Sequence, residues 1–288
     1  MKVYLVTDLE GVAGVYAWED REDTSLENHE RRCRQRRWLA EEVNAATYGL
    51  HQGGATDVWI NDGHGAGYTI DLDLLRPGVH VENGVGRSFY CAGLDSTFAA
   101  LGSLGTHAMA DTPGATLYHT MSSPIRGYWL NGRRVGETGY QAFLAGYFEV
   151  PFVFCAGEAH ACYEMEDLCP GCVTVPVKYG TGRFSALTAT PECARQMIRE
   201  GAEEAMRRVA AVKPLKLDPP IVFREEWHQP HFDLERPLAV GHIIDSHTRE
   251  IEAEDMVDFM CKMYGYDRAW TPLWETGSAL PAHPKEGK

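Results

Sequence analysis

The sequence predicts an α/β protein, a three-layer sandwich with a mostly parallel sheet, followed by a smaller C-terminal α+β lobe. Two short apolar runs, residues 3–7 and 57–61, flank a pattern typical of a helix. Strand, helix and strand in this order form a parallel βαβ unit. Further apolar runs follow up to residue 158, and acidic or histidine side chains stand at the ends of several of them.

The first helix is predicted by its apolar stripe. The stripe has spacings of 4, 3 and 4 and consists of Leu39, Val43, Ala46 and Leu50. Gly53-Gly54 follows directly and is typical of a helix C-cap. The second strand, residues 57–61, begins shortly after it.

The middle of the chain predicts strands at 101–108, 115–121 and 150–158. Between the last two, Asn131-Gly132 is a strong hairpin signal. Aromatic and aliphatic residues recur at helical spacing over 136–148.

After about residue 180 the pattern changes. Thr190-Pro191 predicts a helix start, with threonine as the cap and proline in the first turn. A strand is expected at 238–245 and a helix at 253–264. We therefore predict two lobes, the α/β lobe at 1–185 and the smaller lobe at 186–288.

The composition and charge of the chain indicate which binding partners and which cellular location to expect. The 288 residues carry a net charge of −14, and no basic stripe offsets it, so neither nucleic acid nor an anionic membrane surface is an expected partner. No run of about 18 apolar residues predicts a transmembrane helix. The N-terminus lacks the features of a signal peptide, so we expect a cytoplasmic protein.

Eight cysteines are expected to be free thiols in such a chain. Cys169-Pro-Gly-Cys172 has the spacing of a redox dithiol, but the Pro-Gly pair also suits a turn from helix to strand. The sequence leaves the role of this pair open.

The first apolar run ends on two acids, Asp8 and Glu10. In an extended chain they face the same side, with Cα atoms roughly 7 Å apart. Carboxylates so close repel each other unless a cation lies between them, and carboxylate with imidazole ligands suits zinc. Two zinc ions about 3.5–4 Å apart would need a bridging carboxylate.

Other candidate ligands follow later strands, whose carboxyl ends share one edge of an open α/β sheet. They are Asp62, His64, His107, His119 and Glu137. Each has an alternative interpretation, because a single histidine at a strand end is often structural and an aspartate can close an Asx turn. The glycine-rich segment at 62–67 could also form an anion-binding nest.

Five motifs in register carry a family resemblance: VTDLEG, INDGHG, GTHA, YHTM and NGRRVGETG. Their order and spacing closely resemble the zinc-dependent D-aminopeptidase family, whose type member accompanies a bacterial dipeptide transporter. The match runs from residue 1 to about 180 and continues more weakly beyond it.

The resemblance implies a dinuclear zinc peptidase that assembles as a self-compartmentalising homodecamer, with Mn²⁺ or Co²⁺ as other candidate metals. The family's metal ligands fall on Asp8, Glu10, His64, His107 and Glu137. The further active-site histidine falls on His119. Glu158 is a candidate for binding the substrate ammonium group, with a helix cap as the alternative.

The resulting hypothesis is an aminopeptidase that hydrolyses short peptides or aminoacyl amides by metal-activated water, with D-specificity implied by the family alone. One alternative is a metal-dependent amidase acting on a non-peptide amide or lactam. A second is a non-catalytic nucleotide- or peptide-binding module, although no Walker-type lysine or Rossmann glycine pattern accompanies the glycine-rich segment.

Overall fold

The structure is a computed structural model that describes residues 1–87 and 89–266. Its strands are β1 (Lys2–Thr7), β2 (Asp57–Asp62), β3 (Val79–Glu82), β4 (Ala100–Thr106), β5 (Ile125–Leu130), β6 (Arg133–Val135), β7 (Phe152–Glu158), β8 (Val173–Gly182), β9 (Ser185–Thr188), β10 (Ile221–Trp227), β11 (His242–Asp245) and β12 (Thr248–Ala253). Its α-helices are α1 (Leu26–Gln52), α2 (Glu137–Tyr147), α3 (Ala159–Leu168), α4 (Pro191–Arg208) and α5 (Met256–Tyr264).

The main sheet has seven strands in the order β3-β2-β1-β4-β7-β8-β9. All neighbours are parallel except β9, which returns antiparallel to β8. A second, antiparallel sheet has the order β11-β12-β10-β5-β6. The predicted α/β class with a mostly parallel sheet and a further α+β part is confirmed.

Strand β1 shows why the main sheet is covered on both faces. Val3 and Leu5 belong to a core shared with α1 and α4, while Tyr4 and Val6 belong to a core shared with α2, α5 and the second sheet. Successive side chains of a strand point to opposite faces, so a strand buried on both faces is apolar throughout. The result is the predicted three layers.

The second sheet joins β5 and β6 to β10–β12 from the C-terminal third of the chain. The division into lobes at 1–185 and 186–288 stays a prediction, and residues 267–288 of the second lobe lie outside the described residues. No helix in the described part of the chain combines the length and apolarity needed to cross a membrane.

The predicted helices and the hairpin are confirmed. Thr190 caps α4 by accepting from Cys193 N, with Pro191 in the first turn. Asn131 and Gly132 have φ values of 48° and 79° in the turn between β5 and β6, the left-handed pair that a two-residue hairpin requires.

The predicted strand at 115–121 is wrong. In this segment only Thr120 forms an isolated bridge, with Ser122. Leu117 and Met121 both have positive φ, at 51° and 60°. The chain therefore bends twice, and apolar side chains that suggested a strand instead line a folded loop.

The carboxyl ends of β1 and β4 lie in unusually close contact. Asp8 N donates to Leu104 O at 2.8 Å, and Gly11 N donates to Gly105 O at 2.7 Å. Gly105 has φ +73°, and a Cβ there would lie 2.0 Å from Asp8 O. Only glycine permits both this backbone conformation and this approach.

Replacing Gly105 by alanine should lower the free energy of unfolding by about 3 kcal/mol or more, because the backbone of Asp8 must move in addition to the left-handed strain. Gly132→Ala is the matched control, since Gly132 has φ +79° with open space around the added Cβ. It should lose only about 1 kcal/mol. Urea denaturation measures both variants, and equal losses would contradict the close-approach explanation.

Candidate metal centre

All five residues expected as metal ligands lie at one edge of the main sheet. Asp8 and Glu10 follow β1, His64 opens a 3₁₀ turn after β2, and His107 follows β4. Glu137 is the first residue of α2, where the helix dipole favours a carboxylate. The expected active-site residue His119 lies in the folded loop between β4 and β5.

Asp8, Glu10 and His64 form the first group. The Nδ1 atom of His64 lies 3.0 Å from Asp8 Oδ1 and 2.9 Å from Glu10 Oε2. Glu10 is buried, at 5% exposure. A buried carboxylate and a partly buried one therefore converge on one imidazole nitrogen.

His107, His119 and Glu137 form the second group. His107 Nε2 lies 3.2 Å from Glu137 Oε1, and His119 Nε2 lies 3.9 Å from the same oxygen. The two imidazole rings stack, with centroids 3.9 Å apart and planes 10° apart. Glu137 Oε1 also accepts from Met121 N at 2.7 Å, which ties it to the loop that carries His119.

The carboxylate of Asp8 links the two groups. Its Oδ1 faces His64, while its Oδ2 lies 3.2 Å from His107 Nε2. One oxygen is thus directed to each group, which is the arrangement of a bridging carboxylate.

Backbone carbonyls orient the two stacked histidines. His107 Nδ1 lies 2.9 Å from Ala108 O, and His119 Nδ1 lies 2.9 Å from Leu117 O. A carbonyl can only accept, so Nδ1 is the protonated nitrogen in each ring. Both Nε2 atoms therefore face the carboxylates as the atoms that can ligate a metal or carry a proton.

The neighbouring charges in the site shift the pKa values of its carboxylates and imidazoles. Burial alone would raise the pKa of Asp8, but His107 and His64 hold it well below its usual value. Burial lowers the pKa of His107, but the carboxylates of Glu137 and Asp8 outweigh it and raise the pKa to about 10. Burial, together with the charge of His107, lowers the pKa of His119.

The donor set fits divalent zinc. In each group the ligand atoms lie within 4.8 Å of one another. Among the described residues, Glu10 Oε2 is buried with His64 Nδ1 beside it at 2.9 Å but without a hydrogen bond of good geometry, and a cation at this position would satisfy an anionic oxygen that is costly to bury. Carboxylate oxygens and imidazole nitrogens are the zinc ligands of catalytic sites.

Sequence reasoning missed Lys178, a fully buried lysine on β8. Its Nζ donates to the carbonyl oxygens of Glu10, Val12 and Val15, the last two at 3.3 and 2.5 Å. Burial lowers its pKa to about 8. Its position within an apolar strand sequence could have indicated that this lysine is buried.

A second missed group, Glu42, binds the same loop from helix α1. It lies on α1, is buried, and its Oε1 accepts from Ala13 N at 3.0 Å. Burial raises its pKa to about 8. In the sequence, Glu42 stands between Leu39 and Val43 of the apolar stripe, and this position could have indicated that its carboxylate is buried.

Two further carboxylates support individual candidate ligands. Glu19 lies 3.5 Å from His64 Nε2, and its Oε1 accepts from Arg32. Burial would raise the pKa of Glu19, but hydrogen bonds from His64 and Arg21 lower it to about 2. Glu164 accepts from Gly136 N at 2.7 Å, immediately before Glu137. Its pKa is raised by burial to about 7.

The side chain of Asp62 closes the glycine-rich loop after β2 through hydrogen bonds. Its Oδ2 accepts from Thr69 N and Ile70 N at 2.8 and 2.9 Å. The glycine-rich segment is therefore closed on its own aspartate, in a wider loop than an Asx turn, which joins an aspartate to the backbone two residues on.

Glu158 is fully buried and caps α3, accepting from His160 N at 2.7 Å. Its other oxygen accepts from Gly180 N. The carboxylate that we expected to bind a substrate ammonium group is thus engaged inside the fold.

All eight cysteines lie in the described part of the chain, and none of them forms a disulfide there. Cys172 N donates to Cys169 O at 3.0 Å in the turn between α3 and β8. This is the helix-to-strand turn that the Pro-Gly pair suggested.

In comparisons with known proteins, this chain is similar to D-aminopeptidases. Residues 1–264 match the peptidase M55 family, described as D-aminopeptidase. A D-aminopeptidase of Bacillus subtilis strain 168 is 33% identical over 217 residues, which are 75% of this chain and 77% of that protein. A solved structure, Zn-dependent D-aminopeptidase DppA from Bacillus subtilis, a self-compartmentalizing protease, is similar with a TM-score of 0.85 and 28% identity, covering 92% of this chain and 96% of that chain.

Lys178→Met should lower the free energy of unfolding by about 2–4 kcal/mol and weaken zinc binding, because three buried carbonyls of the loop that carries Glu10 lose their donor. Lys216→Met is the control, since Lys216 is exposed and pairs with Glu149; it should change stability by less than about 0.5 kcal/mol. Urea denaturation and zinc titration measure the two effects. Unchanged zinc affinity in Lys178→Met would show that Lys178 does not hold the loop.

Proposed function

The chain belongs to the peptidase M55 family of D-aminopeptidases and is a peptide hydrolase, and from this we propose a dinuclear zinc aminopeptidase that hydrolyses short peptides or aminoacyl amides. The observation that carries the dinuclear proposal is the carboxylate of Asp8, whose two oxygens face two separate groups of donors. The Zn-dependence of the similar structure supports zinc as the metal, with Mn²⁺ and Co²⁺ as substitutes.

The proposed ligands divide between two metal positions. Asp8 would contribute to both, Glu10 and His64 would complete the first, and His107 and Glu137 would complete the second. Zinc held by these residues would supply a water of lowered pKa and polarise the scissile carbonyl. The ligands stand on strand ends and a helix N-terminus, which hold a site more rigidly than free loops do.

His119 is the proposed proton-carrying group. Its Nδ1 is fixed by Leu117 O, so its Nε2 faces the centre and can hold or deliver a proton to the leaving amine. Trp18 packs edge-on against its ring, with centroids 4.9 Å apart. This contact limits rotation of the imidazole and keeps water from that side of it.

The amidase alternative shares this chemistry, because the same centre would act on a non-peptide amide or lactam. A binding module without turnover is disfavoured by the family and by the pairing of a proton carrier with a metal donor set. We propose a cytoplasmic homo-oligomer, a homodecamer by family resemblance, a state that the self-compartmentalizing neighbour supports.

The function is tested by a hydrolysis screen of paired D- and L-aminoacyl amides and dipeptides, each with added zinc, manganese or cobalt. The D-isomers should be cleaved faster, with release of the N-terminal residue. Cleavage of non-peptide amides or lactams alone would support the amidase, and absence of turnover with every metal would support a binding module.

The ligand assignment is tested by metal analysis of two variants. Glu137→Gln should lose zinc from the second position and reduce turnover by more than about 100-fold, because an amide is a poor zinc ligand. His119→Asn should retain two zinc ions per chain while turnover falls by roughly 10²–10⁴-fold.

A metal-loaded, fully active Glu137→Gln protein would refute the ligand set. Loss of zinc from His119→Asn would instead make His119 a ligand, which its place in the second group also permits.

A further inference from the structure

A cavity of about 300 Å³ opens beside His119. Its walls include Asp111, Tyr118 and Arg183 in addition to His119. A volume at the lower end of the range for ligand pockets, about 300–1,000 Å³, suits a short segment of substrate. Because His119 forms part of the wall, whatever binds here lies next to the proposed proton carrier.

Arg183 is held in a fixed position relative to His119. It lies in the turn between β8 and β9, where its carbonyl oxygen accepts from Leu117 N at 2.8 Å and from Thr116 Oγ1 at 3.2 Å. Leu117 in turn orients His119 through its own carbonyl. The hairpin turn and the histidine loop therefore form one connected wall.

The guanidinium of Arg183 lies near two aromatic rings. Its Cζ lies 5.0 Å from the Tyr118 ring centroid and 5.7 Å from that of Phe184. No ion pair or side-chain hydrogen bond to it is formed within residues 1–87 and 89–266. A guanidinium beside aromatic rings in this way keeps its N–H donors available.

The acid in the same cavity is already engaged. Asp111 lies 3.5 Å from Arg126 Nε and 3.7 Å from His228 Nε2. Arg183 is therefore the cation in this cavity that retains capacity for an anion.

We propose that Arg183 binds the C-terminal carboxylate of a short peptide substrate, so that the enzyme prefers peptides with a free carboxylate close to the scissile bond. This inference rests on the proposed aminopeptidase function. Arginine binds carboxylates through paired N–H donors, which fixes orientation as well as adding affinity. In a chain with net charge −14, an anionic substrate needs such a local cation.

The test compares D-alanylglycine with D-alanylglycine amide on the zinc-loaded full chain. The two substrates share the scissile bond and differ only in the terminal charge. The wild-type protein should favour the free carboxylate. Arg183→Gln should raise KM for D-alanylglycine about three- to tenfold, the loss expected for one charge-assisted pair at an exposed arginine, and change KM for the amide less than about twofold.

Two variants serve as controls. Arg183→Lys should recover part of the loss, since it retains the charge without the paired donors. Arg199→Gln removes an arginine that also lies over a tyrosine, Tyr48 at 5.6 Å, on α4 outside this cavity. It should leave both KM values unchanged.

Three results would overturn the proposal. Equal losses for both substrates in Arg183→Gln would assign a structural role to Arg183, and unchanged KM values would remove it from substrate binding. Hydrolysis of neither substrate by the zinc-loaded wild-type protein would refute the aminopeptidase function itself and this inference with it.

Discussion

The structure depends on the convergence of carboxylates and imidazoles at the carboxyl edge of the main sheet. Asp8, Glu10 and Glu137 are anionic groups in a largely buried environment, where unpaired charge is costly. His64 and His107 lie within 3.2 Å of these carboxylates. A divalent cation bound by the same atoms would meet the same electrostatic requirement, which is why the donor set suits zinc.

This convergence explains features that are otherwise unusual in a core. Gly105 lets the ends of β1 and β4 approach closely enough for Asp8 and His107 to meet. Lys178 from β8 and Glu42 from α1 both bind the backbone of the loop after β1. Buried charges of this kind rarely add net stability. Their contribution is to hold the loop that carries Glu10 in one conformation, as supporting groups do around metal sites.

The proposed roles of the metal centre and of the adjoining cavity differ: the first is hydrolysis and the second is the choice of substrate. The proposed metal centre would act on the carbonyl of any amide that reaches it and would contribute little to the choice of substrate. In our proposal this choice is made by the walls beside His119, where Tyr118 and Arg183 combine an aromatic surface with a cation. The loop at 115–121 connects the two regions, since it carries His119, the proposed proton carrier, and is hydrogen-bonded to the turn that carries Arg183. Its irregular backbone is what allows this, because a regular strand would direct alternate side chains to opposite faces.

By itself the sequence determined the class of fold, the helices, the hairpin and the residues that the structure brings to one edge. These follow from local periodicity, from turn residues such as Asn131-Gly132 and from the rule that strand ends gather ligands. The tertiary structure alone decided that Glu158 caps a helix, that 115–121 is a folded loop and that Lys178 supports the loop after β1. Each of these depends on contacts between segments far apart in the chain, such as the 168 residues that separate Lys178 from Glu10. The local sequence pattern does not show which distant backbone segment a side chain will contact. The roles of these residues come from being buried against that backbone.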